Sequence, residues 1–415
     1  MAHKMKKPEL LAPAGDYSRM MYAIQYGADA VYLGGEEFSL RTAVKNFSAT
    51  ELEKAVEFAH SKQKKVYIAC NSVPRNDEIN RLPSYLEFLN EIKVDAVICS
   101  DFGVFSLAKK HCPNVEIHIS TQANVCNFLT ARMWHELGAS RVVLARELSL
   151  DEISAIHREC PELELEAFVH GAMCVSHSGR CLLSNYMTAR DSNRGSCAQP
   201  CRWKYTLCEE KREGQYFPVY ETDTGTFILN SKDMCMIEHI PDLLTAGIDS
   251  FKIEGRVKTE YYVACITQAY RRAIDSCFED LSYYSDHVGE FYEEVCKVSH
   301  REYYPGFFYG DQAENGQNYK ESSYIRDYEV VAEVKSYDAL MGCILVSQKN
   351  KFAVGDVCEI LEAGKDPYTF TIDKIYDEHN NEILTAPHPG MLVKVKIDKY
   401  IGSMSFVRRK KGVNW

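Results

Sequence analysis

Three stretches of the chain repeat one design: Tyr26-Gly-Ala-Asp-Ala-Val-Tyr-Leu-Gly, Leu137-Gly-Ala-Ser-Arg-Val-Val-Leu-Ala and Ala246-Gly-Ile-Asp-Ser-Phe-Lys-Ile-Glu. In each, glycine supplies the left-handed cap of a helix and a short apolar run begins within a few residues. A chain punctuated in this way alternates helix with buried strand, which yields a parallel sheet. Matching runs occur at Pro8–Ala14, Ala30–Leu33, Val66–Cys70, Ala96–Cys99, Glu116–Ser120, Val142–Ala145, Leu163–Val169 and Ser250–Ile253. Between them lie helical segments, among them Asp16–Tyr26. Capping boxes mark two helix starts, Ser48 with Glu51 and Ser149 with Glu152. Eight such units close into a (β/α)8 TIM-like barrel; an open doubly wound sheet is the alternative. A ninth apolar run, Phe227–Asn230, belongs to an insertion after the seventh strand.

The length of 415 residues leaves room for a second domain. The barrel is expected over residues 1–280, with a cysteine-rich insertion at about 171–235. A connecting segment, 281–327, carries a helix at Val288–Val298, the aromatic stretch His300–Gly310 and the polar stretch Gln312–Lys320. His300–Gly310 has too many aromatic residues for a linker, so it docks on the barrel or offers stacking surfaces to bases. From Tyr328 to the end the pattern turns to short strands: Val330–Val334, Cys343–Val346, Val357–Leu361, Tyr368–Ile375 and Leu392–Ile397. Turns fall at Gly355-Asp356 and Asn380-Asn381, and the expectation is a small β-barrel with a possible RNA-binding role.

No apolar run has spanning length, and sixteen cysteines without a signal peptide point to a reducing, cytoplasmic setting. The formal net charge of −11 argues against coating nucleic acid through an overall positive field. It leaves a local basic footprint open, and Val407–Lys411 reads either as one or as a solvated tail.

Cys174, Cys181, Cys197 and Cys201 stand apart from the other cysteines, with six, fifteen and three residues between successive members. Glycine, serine and arginine surround them and give a thiol little to pack against, whereas Cys70, Cys99 and Cys265 sit in apolar runs. Four thiolates on one loop suit a cubane iron–sulfur cluster or tetrahedral zinc. Residues after the strands should line one mouth of the barrel: Asn71, Ser100, Asp101, Thr121, Gln122, Arg146, Glu147 and His170, joined by Lys252, Glu254 and Arg256, with Arg41 in the loop after the second strand. Arginines grip carboxylates bidentately, so Arg41, Arg146 and Arg256, with Gln122, are candidates for holding a dicarboxylate. They also read as loop-fixing partners of Glu147, Glu254 or Asp101. His170, Lys252 and Glu254 are the catalytic candidates, and His177 lies inside the cysteine loop. No Gly-x-Ser-x-Gly elbow, His-Glu-x-x-His helix or P-loop pattern occurs.

Glu166, Phe168, Gly171, Ala172, Met173, Cys174, Gly179, Cys181, Leu183 and Ser184 together resemble the signature of the U32 family, long labelled collagenase-like peptidases. The likeness extends to Glu9–Gly15 and Lys252–Arg256. The resemblance implies an iron–sulfur protein, with a [4Fe–4S] cluster, that takes part in hydroxylation. The branch most similar in layout is that of tRNA uridine hydroxylation, with prephenate as the required small molecule, tRNA as partner and a second U32-family protein as a further one. Hydroxylation of ribosomal RNA or of a quinone precursor, a peptidase with a zinc site, and a non-catalytic RNA-binding protein are the alternatives.

Overall fold

The computed structural model describes residues 6–40, 46–174, 176–203, 221–222, 225–226, 231–310, 316 and 324–412. Eight parallel strands form the first domain: β1 (Glu9–Pro13), β2 (Ala30–Leu33), β3 (Lys65–Cys70), β4 (Ala96–Cys99), β5 (Glu116–Ile119), β6 (Arg141–Val143), β7 (Glu164–Ala172) and β8 (Ser250–Ile253). Each pairs with the next, and β8 pairs with both β7 and β1, so the sheet closes into a barrel. Phe227–Asn230 lies outside the described residues, as does Gln312–Lys320 apart from Gly316.

The local signals act as elementary geometry requires. Gly27, Gly138 and Gly247 all adopt positive φ, at 106°, 106° and 84°. Both capping boxes form, with the Ser48 and Ser149 side chains accepting the amides of Glu51 and Glu152. Asp16 caps Tyr17–Gln25, and Thr259 caps the long helix Glu260–Glu279. The next helix begins earlier than expected, at Leu281, because Asp280 accepts the amides of Ser282 and Tyr283.

Strand alternation sorts the side chains. Leu10, Ala12, Val31, Val66, Val97 and Val142 pack outward against the helices. Leu11, Ala30, Tyr32, Tyr67, Ala96 and Ile98 form a separate cluster inside the barrel. A short strand with no clear sequence signal, Asp233–Cys235, extends the sheet by pairing antiparallel with the end of β7. Tyr303–Tyr304 then pairs with it. Tyr304 and Phe308 are buried in the barrel core, so His300–Gly310 docks rather than links.

The C-terminal domain is an eight-stranded antiparallel sheet curled into a half-barrel, in the order 368–371, 357–361, 406–410, 328–338, 343–348, 392–396, 375–376, 382–383. Its core contains Val331, Val334, Ile344, Val346, Ile360, Val393, Val395 and Val407. Here the structure corrects the reading of Val407–Lys411. Phe406–Lys410 is an internal strand between Tyr328–Asp338 and Val357–Leu361. Arg408 is fully buried and ion-paired with Glu294 at 2.7 Å and with Glu359, while Arg409 pairs with Glu329 and Asp356. Their charge is neutralised within the fold, so they do not make a free basic tail. The start of this strand and the turn before it join the domains: Phe406 stacks on Tyr22 at 5.0 Å, and Tyr26 donates to the Met404 carbonyl at 2.8 Å.

Candidate functional site

The barrel interior is charged at its centre. Arg141 donates to Glu9 at 2.6 Å, to Glu164 at 2.7 Å and to Glu166 at 3.1 Å. Lys252 holds the other oxygen of Glu166 at 2.6 Å. Ser250 and Tyr67 complete the set through Glu9. Burial opposes ionisation of Glu166, but Lys252 and Arg141 outweigh it and hold the carboxyl below its usual range. Lys252 is therefore a barrel-interior cation and does not line the mouth as expected. It lies 4.5 Å from the Tyr32 ring centroid and 5.3 Å from that of Phe168. From sequence, no role in the barrel interior is expected of Arg141 and Glu9; the signal for it is the alternation of Glu164, Glu166 and Phe168 along β7.

His170 is also displaced from its expected place. The register of β7 against β8 shifts between Phe168 and His170. That step places the imidazole among the rings of Tyr262, Tyr270 and Tyr303, with centroids 6.2, 5.4 and 5.2 Å away. Nδ1 faces the Tyr270 hydroxyl and Nε2 the Tyr303 hydroxyl, each at 3.4 Å. Burial pushes the imidazole down to about 3, so it is neutral at physiological pH. The Glu254 amide donates to the His170 carbonyl at 2.9 Å. Its own carbonyl accepts from Tyr262. Gly171 packs on that carbonyl: φ is +108°, and a Cβ there would come within 2.7 Å of the oxygen.

Arg256 is a strut, not an exposed clamp. It donates to Ser39 Oγ and the Leu40 carbonyl, both at 2.9 Å, and to Asn46 at 2.7 Å. These bonds fix the loop after β2. Arg41, on that loop, lies outside the described residues. Asn71 and Asp101 are likewise structural: Asn71 accepts the Leu40 amide, and Asp101 caps Phe102–His111.

Four polar groups do remain at the strand ends. Ser100 Oγ, Gln122 Oε1, Asn124 Oδ1 and Arg146 Nε are buried and have no hydrogen-bond partner among the described residues. Arg146 also sits over the Phe168 ring at 4.2 Å and donates to the Ala172 carbonyl at 3.3 Å. Buried polar atoms are almost always paired in folded proteins, so four orphans at one barrel mouth mark a place for a polar ligand.

The cysteine loop is strapped across this mouth. Glu147 accepts the Ser178 amide at 2.6 Å and its hydroxyl at 2.7 Å, and Arg180 donates to the Gln122 carbonyl at 2.7 Å. His177 is exposed, 3.8 Å from Glu147. The halves of the loop are tied together: the Cys181 carbonyl accepts from Ser192 and Asn193, and Ser184 Oγ accepts the Ala198 amide at 2.9 Å. Cys181 opens on a cleft of about 440 Å³ flanked by Arg75, Arg180, Asp191 and Asn193.

Cys174 is exposed, and Cys181, Cys197 and Cys201 are half-buried. Two sulfurs already accept backbone amides, Cys181 from Leu183 at 3.3 Å and Cys197 from Gln199 at 3.4 Å. Such N–H···S bonds stabilise thiolates that ligate metal or cluster iron. In donor chemistry the loop therefore fits an iron–sulfur cluster. It presents the donors without gathering them: among the described residues, no three Cys, His, Asp or Glu side chains form a metal-binding group.

The model of peptidase family U32 matches residues 15–318, and that of the family's C-terminal domain matches residues 326–408. The chain belongs to peptidase family U32. Among U32 proteins it is 39% identical to tRNA hydroxylation protein P1 of Bacillus subtilis, over 98% of this chain and 96% of that one. It is 35% identical to tRNA hydroxylation protein P of Escherichia coli, over 94% and 93%. It is 38% identical to the 23S rRNA 5-hydroxycytidine C2501 synthase of Escherichia coli, over 66% of this chain and 40% of that protein. No helix among the described residues of this U32 chain is long and apolar enough to cross a membrane.

Proposed function

We propose that this U32 chain is a cytoplasmic enzyme that hydroxylates C5 of the wobble uridine of tRNA, with prephenate as a required small molecule. The observation that carries the tRNA reading is correspondence over both domains with the tRNA hydroxylation proteins. The ribosomal RNA relative, by contrast, matches only 66% of the chain.

Cys174, Cys181, Cys197 and Cys201 would hold a [4Fe–4S] cluster, which supplies one-electron chemistry when bound. The protein's own groups position the reactants. Arg146 offers a guanidinium to a carboxylate, while Gln122 Oε1 and Asn124 Oδ1 accept from a hydroxyl. Arg75 and Arg180 flank the cleft beside Cys181 and attract an anionic substrate. Glu147 holds the loop over the mouth through Ser178 and limits water there. The peptidase reading lacks comparable support, since His170 is neutral and held between Tyr270 and Tyr303 rather than beside a nucleophile.

The test is nucleoside analysis of tRNA from a strain lacking the gene and any redundant relative. Loss of 5-hydroxyuridine derivatives, restored by the gene alone, is expected; unchanged levels refute the substrate assignment. Restoration only with a second U32 protein would establish that partner. Anaerobic purification tests the cofactor: broad absorption near ~400 nm with iron and sulfide supports the cluster, and a colourless protein with stoichiometric zinc rejects it.

A further inference from the structure

A second cleft, of about 330 Å³, lies at the seam between the domains. Its walls include Lys258 and Thr259 from the loop after β8, Ser299, and Tyr324, Arg326 and Tyr328 from the approach to the half-barrel. That loop leaves the same face of the barrel as the cysteine loop, because β7 and β8 are parallel neighbours.

The cations here are held by rings instead of carboxylates. Lys258 Nζ lies 5.0 Å from the Tyr262 ring centroid and 5.1 Å from that of Tyr324. Arg326 lies 5.8 Å from the Tyr324 centroid and donates to Ser299 Oγ at 3.3 Å. Among the described residues the contacts of these two cations are with rings and a hydroxyl, not with a carboxylate. Lys297, on the same wall, is neutralised by Glu294 and Glu359. A ring fixes a cation's position without cancelling its charge, so among the described residues Lys258 and Arg326 remain a local positive pair in a chain of net charge −11. Arg301 also contacts Tyr324, at 5.5 Å. With several cations around one ring, Tyr324 serves as a scaffold for charge more than as a platform for a stacked base.

We propose that this seam cleft binds the phosphate backbone of the RNA substrate, with Lys258 and Arg326 as the phosphate contacts and Tyr324 as the residue that positions them. The inference rests on the tRNA reading above. It explains what the seam contributes: a backbone contact beside the barrel mouth that orients the strand without reading its sequence.

The experiment is fluorescence anisotropy of unmodified tRNA with the full chain across a range of salt concentrations. Lys258→Gln with Arg326→Gln should weaken binding by on the order of tenfold or more. It should also reduce the salt slope by about 0.7–0.9 for each lost contact. Tyr324→Ala should reproduce part of the loss and Tyr324→Phe none of it. Lys399→Gln, which removes a cation over the Tyr368 ring elsewhere on the half-barrel, should match wild type. Wild-type affinity and slope in the double variant overturn the proposal, as does weaker binding with an unchanged slope. If wild type binds tRNA and the double variant does not, yet cells lacking the gene keep their hydroxyuridine, the cleft stands and the proposed reaction falls.

Discussion

His170→Phe isolates one titration that the fold has moved far from its ordinary position. The imidazole protonates near 6.5 when exposed and at about 3 in the folded chain, mainly because burial removes it from water. Between those values the unfolded chain binds a proton that the folded chain does not, so stability falls as pH falls. Taken from about pH 7.5 to about pH 5, one such group costs about 2 kcal/mol. Phenylalanine fits the cage and leaves both tyrosines bonded, since Tyr270 also donates to the Val169 carbonyl and Tyr303 to that of Val295. His118 and His300 are lowered as well, but they are present in both proteins and cancel. Urea unfolding at the two pH values should show wild type losing about 2 kcal/mol more than His170→Phe. Equal losses would refute a buried, neutral His170.

Replacing any one of Cys174, Cys181, Cys197 or Cys201 by Ala should remove bound iron and hydroxylation while leaving the fold intact, with Cys70→Ala as the unaffected comparison; iron analysis decides, and full occupancy in two of the four rejects the ligand set. Glu166→Gln strands Lys252 and should cost about 3–5 kcal/mol, whereas half-exposed Glu164→Gln should cost about 0–1 kcal/mol; denaturant midpoints compare them. Arg408→Met should loosen the half-barrel to limited proteolysis. In wild type burial opposes ionisation of Glu294, but Arg408 and Lys297 together outweigh it and hold the carboxyl at about 2 against an ordinary 4.5. That pairing stabilises fully above about pH 4.5 and fades as pH falls towards 2, which acid titration of the proteolysis rate should follow.

The barrel was legible because its signals are local. Gly27, Gly138 and Gly247 end helices by their own φ, and Ser48 and Ser149 cap by reaching three residues ahead. The misplaced residues depend on partners distant in sequence. His170 owes its neutrality to burial among rings that include Tyr270 and Tyr303, and the charge of Arg408 is paired with Glu294 and Glu359. Lys252 was expected at the mouth because it lies late in a strand, but alternation along β8 turns it inward. Asp233–Cys235 is too short to show a period. At the mouth, sequence position places Gln122 and Arg146 at the strand ends; that Gln122 Oε1 and Arg146 Nε stay unpaired among the described residues depends on three-dimensional packing.

Barrel closure also carries a consequence for synthesis. Glu9 pairs with Ser250, so β1 waits for 241 further residues (250 − 9) before its second neighbour exists. At the usual pace of translation that delay is roughly 12–48 seconds. Meanwhile a seven-stranded nascent sheet has two open edges, β1 and β7, and unpaired edges invite pairing with other chains. Glu9 lies on one edge, and Glu164 and Glu166 lie on the other, with Arg141 facing all three. Like charge on both edges disfavours joining of nascent sheets to each other, and the arriving β8, which pairs with both edges, brings in Lys252 against Glu166.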